Sequence, residues 1–184
     1  MSDSLPFSTA GSAPNPLSEK VISVIELEAA LPAEYLAAVL QDHLGQDEIL
    51  KDAIVRRQDA RVVISLVGDA LFGAGSATLN DAAREAVYRL GGIVGNIGNQ
   101  LEVLGHADPS VLEGEDFDAN WMLSLRRADA VARELRVSGY QRNIIILGLG
   151  DSRYTRLNEN PSEACRLELA RRVDFVLHDT VEER

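Results

Sequence analysis

Apolar residues along this chain switch between two spacings, and the switches mark out its elements. From Ser18 the spacing is helical: Val21, Val24, Ile25 and Leu27 precede a break at Pro32, after which Tyr35, Leu36, Val39, Leu40 and Leu44 recur at threes and fours. Pro32 suits the first turn of the second helix, where its missing N–H would have no partner anyway. Residues 53–67, AIVRRQDARVVISLV, alternate and then become β-branched, which predicts two strands meeting at Gln58-Asp59-Ala60. The run RVVISLV is apolar enough to predict an interior position in a sheet.

A loop with Gly73, Gly75 and Ser76 then leads into a helix whose stripe is Leu79, Ala83, Val87, Leu90, Val94 and Ile97. Glycines at 91, 92, 95 and 98 fray that helix and end it before the strand QLEVLGH. Asp116, Asp118 or Asn120 can cap the following helix, and Gly139 stands where its C-terminus needs a left-handed residue. NIIILGLG predicts a buried strand, residues 151–162 a polar loop, Glu163–Glu168 a short helical stretch, and RRVDFVLHD a closing strand. With two full helices and an opening hairpin, the expected fold class is α+β: a small β/α/β/α/β sandwich with helices on one face of a mixed sheet, rather than a doubly wound fold. The expected organisation is a flexible arm over 1–16, rich in Ser, Ala, Pro and Gly, helices over 17–52 that serve as linker or dimer contact or else pack on their own domain, and the main domain over 53–180.

Charge narrows the functions. The 184 residues carry a formal charge of −11, which argues against a nucleic-acid surface. Residues 1–60 hold 10 acids and 4 bases, whereas the remaining 124 hold 19 and 14, so the later part is nearly balanced and can meet a zwitterion with local arginines. The single cysteine, Cys165, excludes an internal disulfide. The start has no basic region followed by an apolar core, and residues 21–40 are interrupted by Glu26, Glu28, Pro32 and Glu34, so neither stretch is expected to enter a membrane.

Catalytic and metal chemistry find little support. His43, His106 and His178 fall in different elements with no cysteine at ligand spacing, which disfavours zinc. GLGD at 148–151 lacks the third glycine of a dinucleotide loop, and Glu113, Glu115, Asp116 and Asp118 lack calcium-loop spacing. Ser124 lies inside a helix without a nucleophile elbow. No cofactor and no enzyme activity are expected.

Two charges stand out instead. On the helix from Asn120, Trp121, Leu125, Ala128, Ala132 and Leu135 form one stripe, while the neighbouring file Leu123, Arg127, Val131, Leu135 is apolar except at Arg127. An arginine set against a core stripe must be partly buried and therefore partnered, or else snorkel. Asp108, after a Gly-His turn at a strand end, is the second. Either Arg127 pairs with an acid of its own domain, or it and Asp108 line one pocket and clasp a zwitterion, guanidinium to carboxylate and carboxylate to ammonium.

LFGAGSATL, GHAD at 105–108, NWMLSLRRADAV at 120–131, the GLGD turn and the terminal RRVDFVL resemble, in order, the OmpA/MotB family of peptidoglycan-associated domains. The helix matches that family's Asn-x-x-Leu-Ser-x-x-Arg-Ala-x-x-Val, and the closest resemblance is to the periplasmic part of flagellar stator proteins of the MotB type. The resemblance implies non-catalytic binding of peptidoglycan through the diaminopimelate of its peptide stem. Asp108 and Arg127 match the residues that hold that group, Asn120 and Leu123 match motif positions beside it, and Arg172 matches an arginine before the last strand. Ala107 and Ala170 depart from the family's threonine and asparagine. The implied setting is periplasmic, with peptidoglycan as ligand, a homodimer, an inner-membrane-anchored parent and a membrane-embedded stator partner. The alternative is an OmpA-like interaction or dimerisation module of an envelope or secretion complex that no longer binds the wall.

Overall fold

The computed structural model describes residues 31–109, 118–157 and 162–181. The arm over 1–16, the first predicted helix and the acids Glu113, Glu115 and Asp116 lie outside the described residues.

Five strands form one mixed sheet. β1 (Ile54–Gln58) and β2 (Arg61–Val67) are the predicted hairpin, closed by a two-residue turn in which Asp59 takes φ +52°. β3 (Asn99–Gly105), β4 (Ile144–Gly148) and β5 (Arg172–Val181) complete it in the spatial order β1-β2-β5-β3-β4. All neighbours are antiparallel except β3 and β4, which are parallel and therefore need a crossover.

That crossover is the long helix. α1 (Ala33–Gly45), the one-turn α2 (Gly68–Leu71), α3 (Asp81–Val94), α4 (Asp118–Val137) and α5 (Glu163–Ala170) are the helices among the described residues. α1, α3 and α4 cover one face of the sheet. Its inward side chains, Val62, Ile64 and Leu66 of β2, Leu101 and Val103 of β3, and Val173, Phe175 and Leu177 of β5, join the helical leucines in one core. The predicted stripe Leu79, Ala83, Val87, Leu90, Val94, Ile97 is buried throughout, and Asn80 caps α3 by accepting the N–H of Ala83 at 2.8 Å.

Several predictions of detail are corrected. Gly91 and Gly92 lie within α3, which continues to Val94. Pro32 precedes α1 as its cap, and α1 buries Leu36, Leu40 and Leu44 in the core of its own chain. Asn99, itself buried, clamps the entry to α1 by accepting from Leu31 N–H at 2.9 Å and donating to Leu31 C=O at 3.1 Å. NIIILGLG forms an edge strand, with only Ile144 of its five strand residues buried. On α4 the stripe shifts by one row: Trp121 is 47% exposed, whereas Ser124 is fully buried. The face of the helix that meets the sheet is set by Ser124, Ala128, Val131, Ala132 and Leu135.

Candidate functional site

The C-terminal end of β3 delivers Gly105, His106, Ala107 and Asp108 to the foot of α4. The approach is close because both strands beneath the helix carry glycine there. A Cβ on Gly105 would stand 1.9 Å from the carbonyl oxygen of Ser124, and one on Gly148 would stand 2.7 Å from the Cβ of Leu125. Ser124 fastens the contact: its hydroxyl donates to Trp121 C=O at 2.8 Å and accepts the N–H of Gly150 at 3.0 Å. Ala107 N–H in turn donates to Gly150 C=O at 2.9 Å, which fixes the backbone one residue before Asp108.

Asp108 is 8% exposed and Arg127 is 4% exposed, so both charges are withdrawn from solvent. Asn120 donates from Nδ2 to the Asp108 carbonyl at 3.2 Å and ties the first turn of α4 to the strand end. Arg127 donates from Nε to Ser76 C=O at 2.9 Å, and its guanidinium lies over the Phe72 ring, 5.2 Å from the centroid. Among the described residues no carboxylate is within ion-pair distance of it. Burial pushes its pKa below the ordinary arginine value; Asp69 opposes this, Arg171 adds to it and Asp108 opposes it. Arg127 is thus anchored by a carbonyl and an aromatic face, within the field of two acids.

Arg171 was not anticipated. It is forked onto Asp69, Nε to Oδ1 at 3.0 Å and Nη2 to Oδ2 at 2.7 Å, while its Nη1 donates to Asp108 Oδ2 at 2.8 Å. Asp69, followed by Asp108, raises its pKa above the ordinary arginine value. The cluster therefore contains two acids and two arginines: Asp69 from α2, Asp108 after β3, Arg127 on α4 and Arg171 before β5.

Of the residues expected at the site, Asp108, Asn120 and Arg127 come together, and Leu123 is half-buried on the same flank of α4 as Asn120 and Arg127. Arg172 is not brought to them. It points to the opposite face of the sheet, where Nε donates to Asp174 at 3.1 Å and Nη1 to Leu169 C=O at 2.9 Å. The cause is strand alternation: Val173, Phe175 and Leu177 face the helices, so Arg171 shares their side and Arg172 does not. That alternation was the available signal for Arg171.

Behind the strand end lies a second buried group. His106 Nε2 is 2.9 Å from Asp174 Oδ2. Burial holds the His106 pKa below its ordinary value, with Asp174 pulling the other way. Burial alone would raise the Asp174 carboxyl, but His106, Arg172 and Ser65 together hold it below the usual range.

A sequence model of the OmpA family matches residues 71–166, just over half of the chain, and contains Asp108, Asn120, Leu123 and Arg127. Motility protein B of Escherichia coli strain K12 is 24% identical over 165 residues, covering 85% of this chain and 52% of that protein, so the chain spans about half the length of this curated relative. The periplasmic domain of Helicobacter pylori MotB superposes with a TM-score of 0.60 at 21% identity, over 68% of this chain and 81% of that one, which shows the shared fold. The cell wall anchor of the T6SS from Pseudomonas aeruginosa superposes with a TM-score of 0.64 at 26% identity, over 78% of this chain and 97% of that one. No helix among the described residues is long and apolar enough to cross a membrane.

Proposed function

Because the chain belongs to the OmpA family, we propose that it is a non-catalytic, peptidoglycan-associated anchor, the periplasmic domain of a membrane-attached protein serving a flagellar stator or a similar envelope complex. Its ligand is the diaminopimelate of the peptide stem. Asp108 takes the ammonium and Arg127 the carboxylate of that zwitterion, with Asn120 holding the Asp108 backbone and Leu123 beside them. The carrying observation is that Asp108 and Arg127, from different elements, are both buried at one end of the sheet, each within the field of the other. The likeness to a cell wall anchor and to Motility protein B supports the same reading. A homodimer and a membrane-embedded partner belong to this proposal.

Co-sedimentation with purified sacculi tests it. The wild-type chain is expected in the pellet, and Asp108→Asn and Arg127→Ala in the supernatant, with circular dichroism reporting that each variant is folded. Binding retained by both folded variants overturns the assignment of the pocket. One observation favours a second reading: Arg171 already occupies a carboxylate oxygen of Asp108, so that acid is partly engaged by the chain's own residue. Under that reading the domain is an interaction module without a wall ligand, and a folded wild-type chain that fails to pellet with sacculi at any salt concentration selects it.

A further inference from the structure

The two edges of the sheet differ. β1 is guarded by Arg56, Arg57 and Gln58, the charged and polar side chains by which natural sheets discourage strand addition. β4, at the other end of the sheet order, reads Ile144-Ile145-Ile146-Leu147-Gly148 and carries no charge. Its polarity can be read from one bond: Leu149 N–H donates inward to Gly105 C=O at 2.9 Å. By alternation, the peptide groups of Ile145 and Leu147 also face β3, and those of Ile144, Ile146 and Gly148 point away from the sheet.

The edge strand itself is apolar, and an arginine stands near each of its ends. Of the six large apolar side chains exposed among the described residues, four lie on α4 or β4: Trp121, Met122, Val137 and Leu147. α4 packs beside α3 on the flank of Arg127 and Glu134, so its other flank, with Trp121, Leu125 and Arg136, overhangs β4. α4 runs antiparallel to β4, which sets Arg136 near the start of the strand. Arg153 follows the end of β4 and lines the open face with Leu147 and Leu149. Both arginines are exposed, and neither has an acid partner among the described residues. The edge thus has an exposed guanidinium group near each end, the two separated by a strand of roughly 16 Å.

We propose that β4 is a docking edge for an extended acidic peptide of a partner protein, added as a sixth strand with an acid near each end and apolar residues between. Backbone pairing to Ile144, Ile146 and Gly148 supplies the register, Trp121 and Leu147 contact side chains toward the C-terminal end of β4 on the two faces, and Arg136 and Arg153 select for charge. A second copy of this chain fits worse. A two-fold antiparallel pairing of β4 with itself would bring Arg136 of one copy against Arg153 of the other, at both ends. A long polyanion meets the −11 charge of the rest of the chain.

The test is fluorescence anisotropy with the full chain and a labelled hexapeptide, Glu-Thr-Val-Thr-Val-Glu. Saturable one-to-one binding is expected, weakened about tenfold or more in the double variant Arg136→Glu/Arg153→Glu, whose exposed substitutions should leave the melting curve unchanged. N-methylation of alternate peptide amides in the probe should abolish binding with every side chain retained. Equal binding of the Lys-ended probe, indifference to the double variant, or absence of binding at millimolar probe each overturns the proposal. So does a concentration-dependent dimer, seen by sedimentation, that excludes the peptide. Sacculus binding is read separately through Asp108 and Arg127, so failure of one assay leaves the other interpretable.

Discussion

Arg171 and Arg172 are adjacent in the chain and serve different faces of the sheet. Arg171 holds two carboxylates together, and removing it takes the bridging guanidinium away from Asp69 and the nearly buried Asp108. Arg171→Ala is expected to lower stability by roughly 1–3 kcal/mol in urea unfolding; Arg171→Lys should recover only part of this, because an ammonium cannot reproduce the fork on Asp69. His106 gives a pH signature. Its folded-state pKa lies below the ordinary value, so the unfolded chain binds the proton more readily, and stability is lost as pH falls from about 6.5 toward the folded value. Thermal melting between pH 8 and pH 5 should show Tm falling on the acid side, with a limiting slope of about 1.4 kcal/mol per pH unit from this group. His106→Asn should flatten that slope whatever it does to Tm at neutral pH. At this scale the burial of Arg127 was legible, since a lone charge in an apolar helical file has few places to go. Its partners were not, because a backbone carbonyl at Ser76 and a ring at Phe72 leave no mark in charge or spacing.

Elements followed their periodicity where one face alone is buried, and departed from it where two elements come into unusually close contact. α3 kept every predicted core position because a single stripe meets a single surface. α4 did not, because the glycines at 105 and 148 let the helix sink onto β3 and β4, and a small residue, Ser124, took the place expected of an aromatic. Gly105→Ala tests that contact. A Cβ there meets backbone, which cannot rotate away, so the expected cost is about 3 kcal/mol or more, read by chemical denaturation. The strand NIIILG misled for a related reason: a continuous apolar run marks burial on both faces, yet the sheet ends there, and part of its apolar surface is left to α4 and to solvent.

For the whole molecule, the order of elements and the placement of helices on one face were readable from the alternation of spacings, whereas the contribution of α1 was not. Sequence left it between a dimer contact and the core, and Leu36, Leu40 and Leu44 are buried in the core. Burial of three leucines amounts to roughly 6 kcal/mol, which is comparable with the entire net stability of about 5–15 kcal/mol for an ordinary domain. A chain beginning at Leu50 is therefore expected to lose its cooperative thermal transition by calorimetry, even though it retains every strand and every residue proposed to bind.

The position of β5 has a consequence for how the molecule is made. It is the last strand among the described residues and the middle strand of the sheet, with β2 on one side and β3 on the other. The hairpin β1-β2 and the pair β3-β4 share no ladder with each other, so during synthesis they wait as two unjoined halves until residues 172–181 are available. At about 5–20 residues per second, the interval between completing β2 and completing β5 is on the order of ten seconds. Through that interval no ladder joins the two halves of the sheet, so its five-stranded form is reached only once β5 is in place.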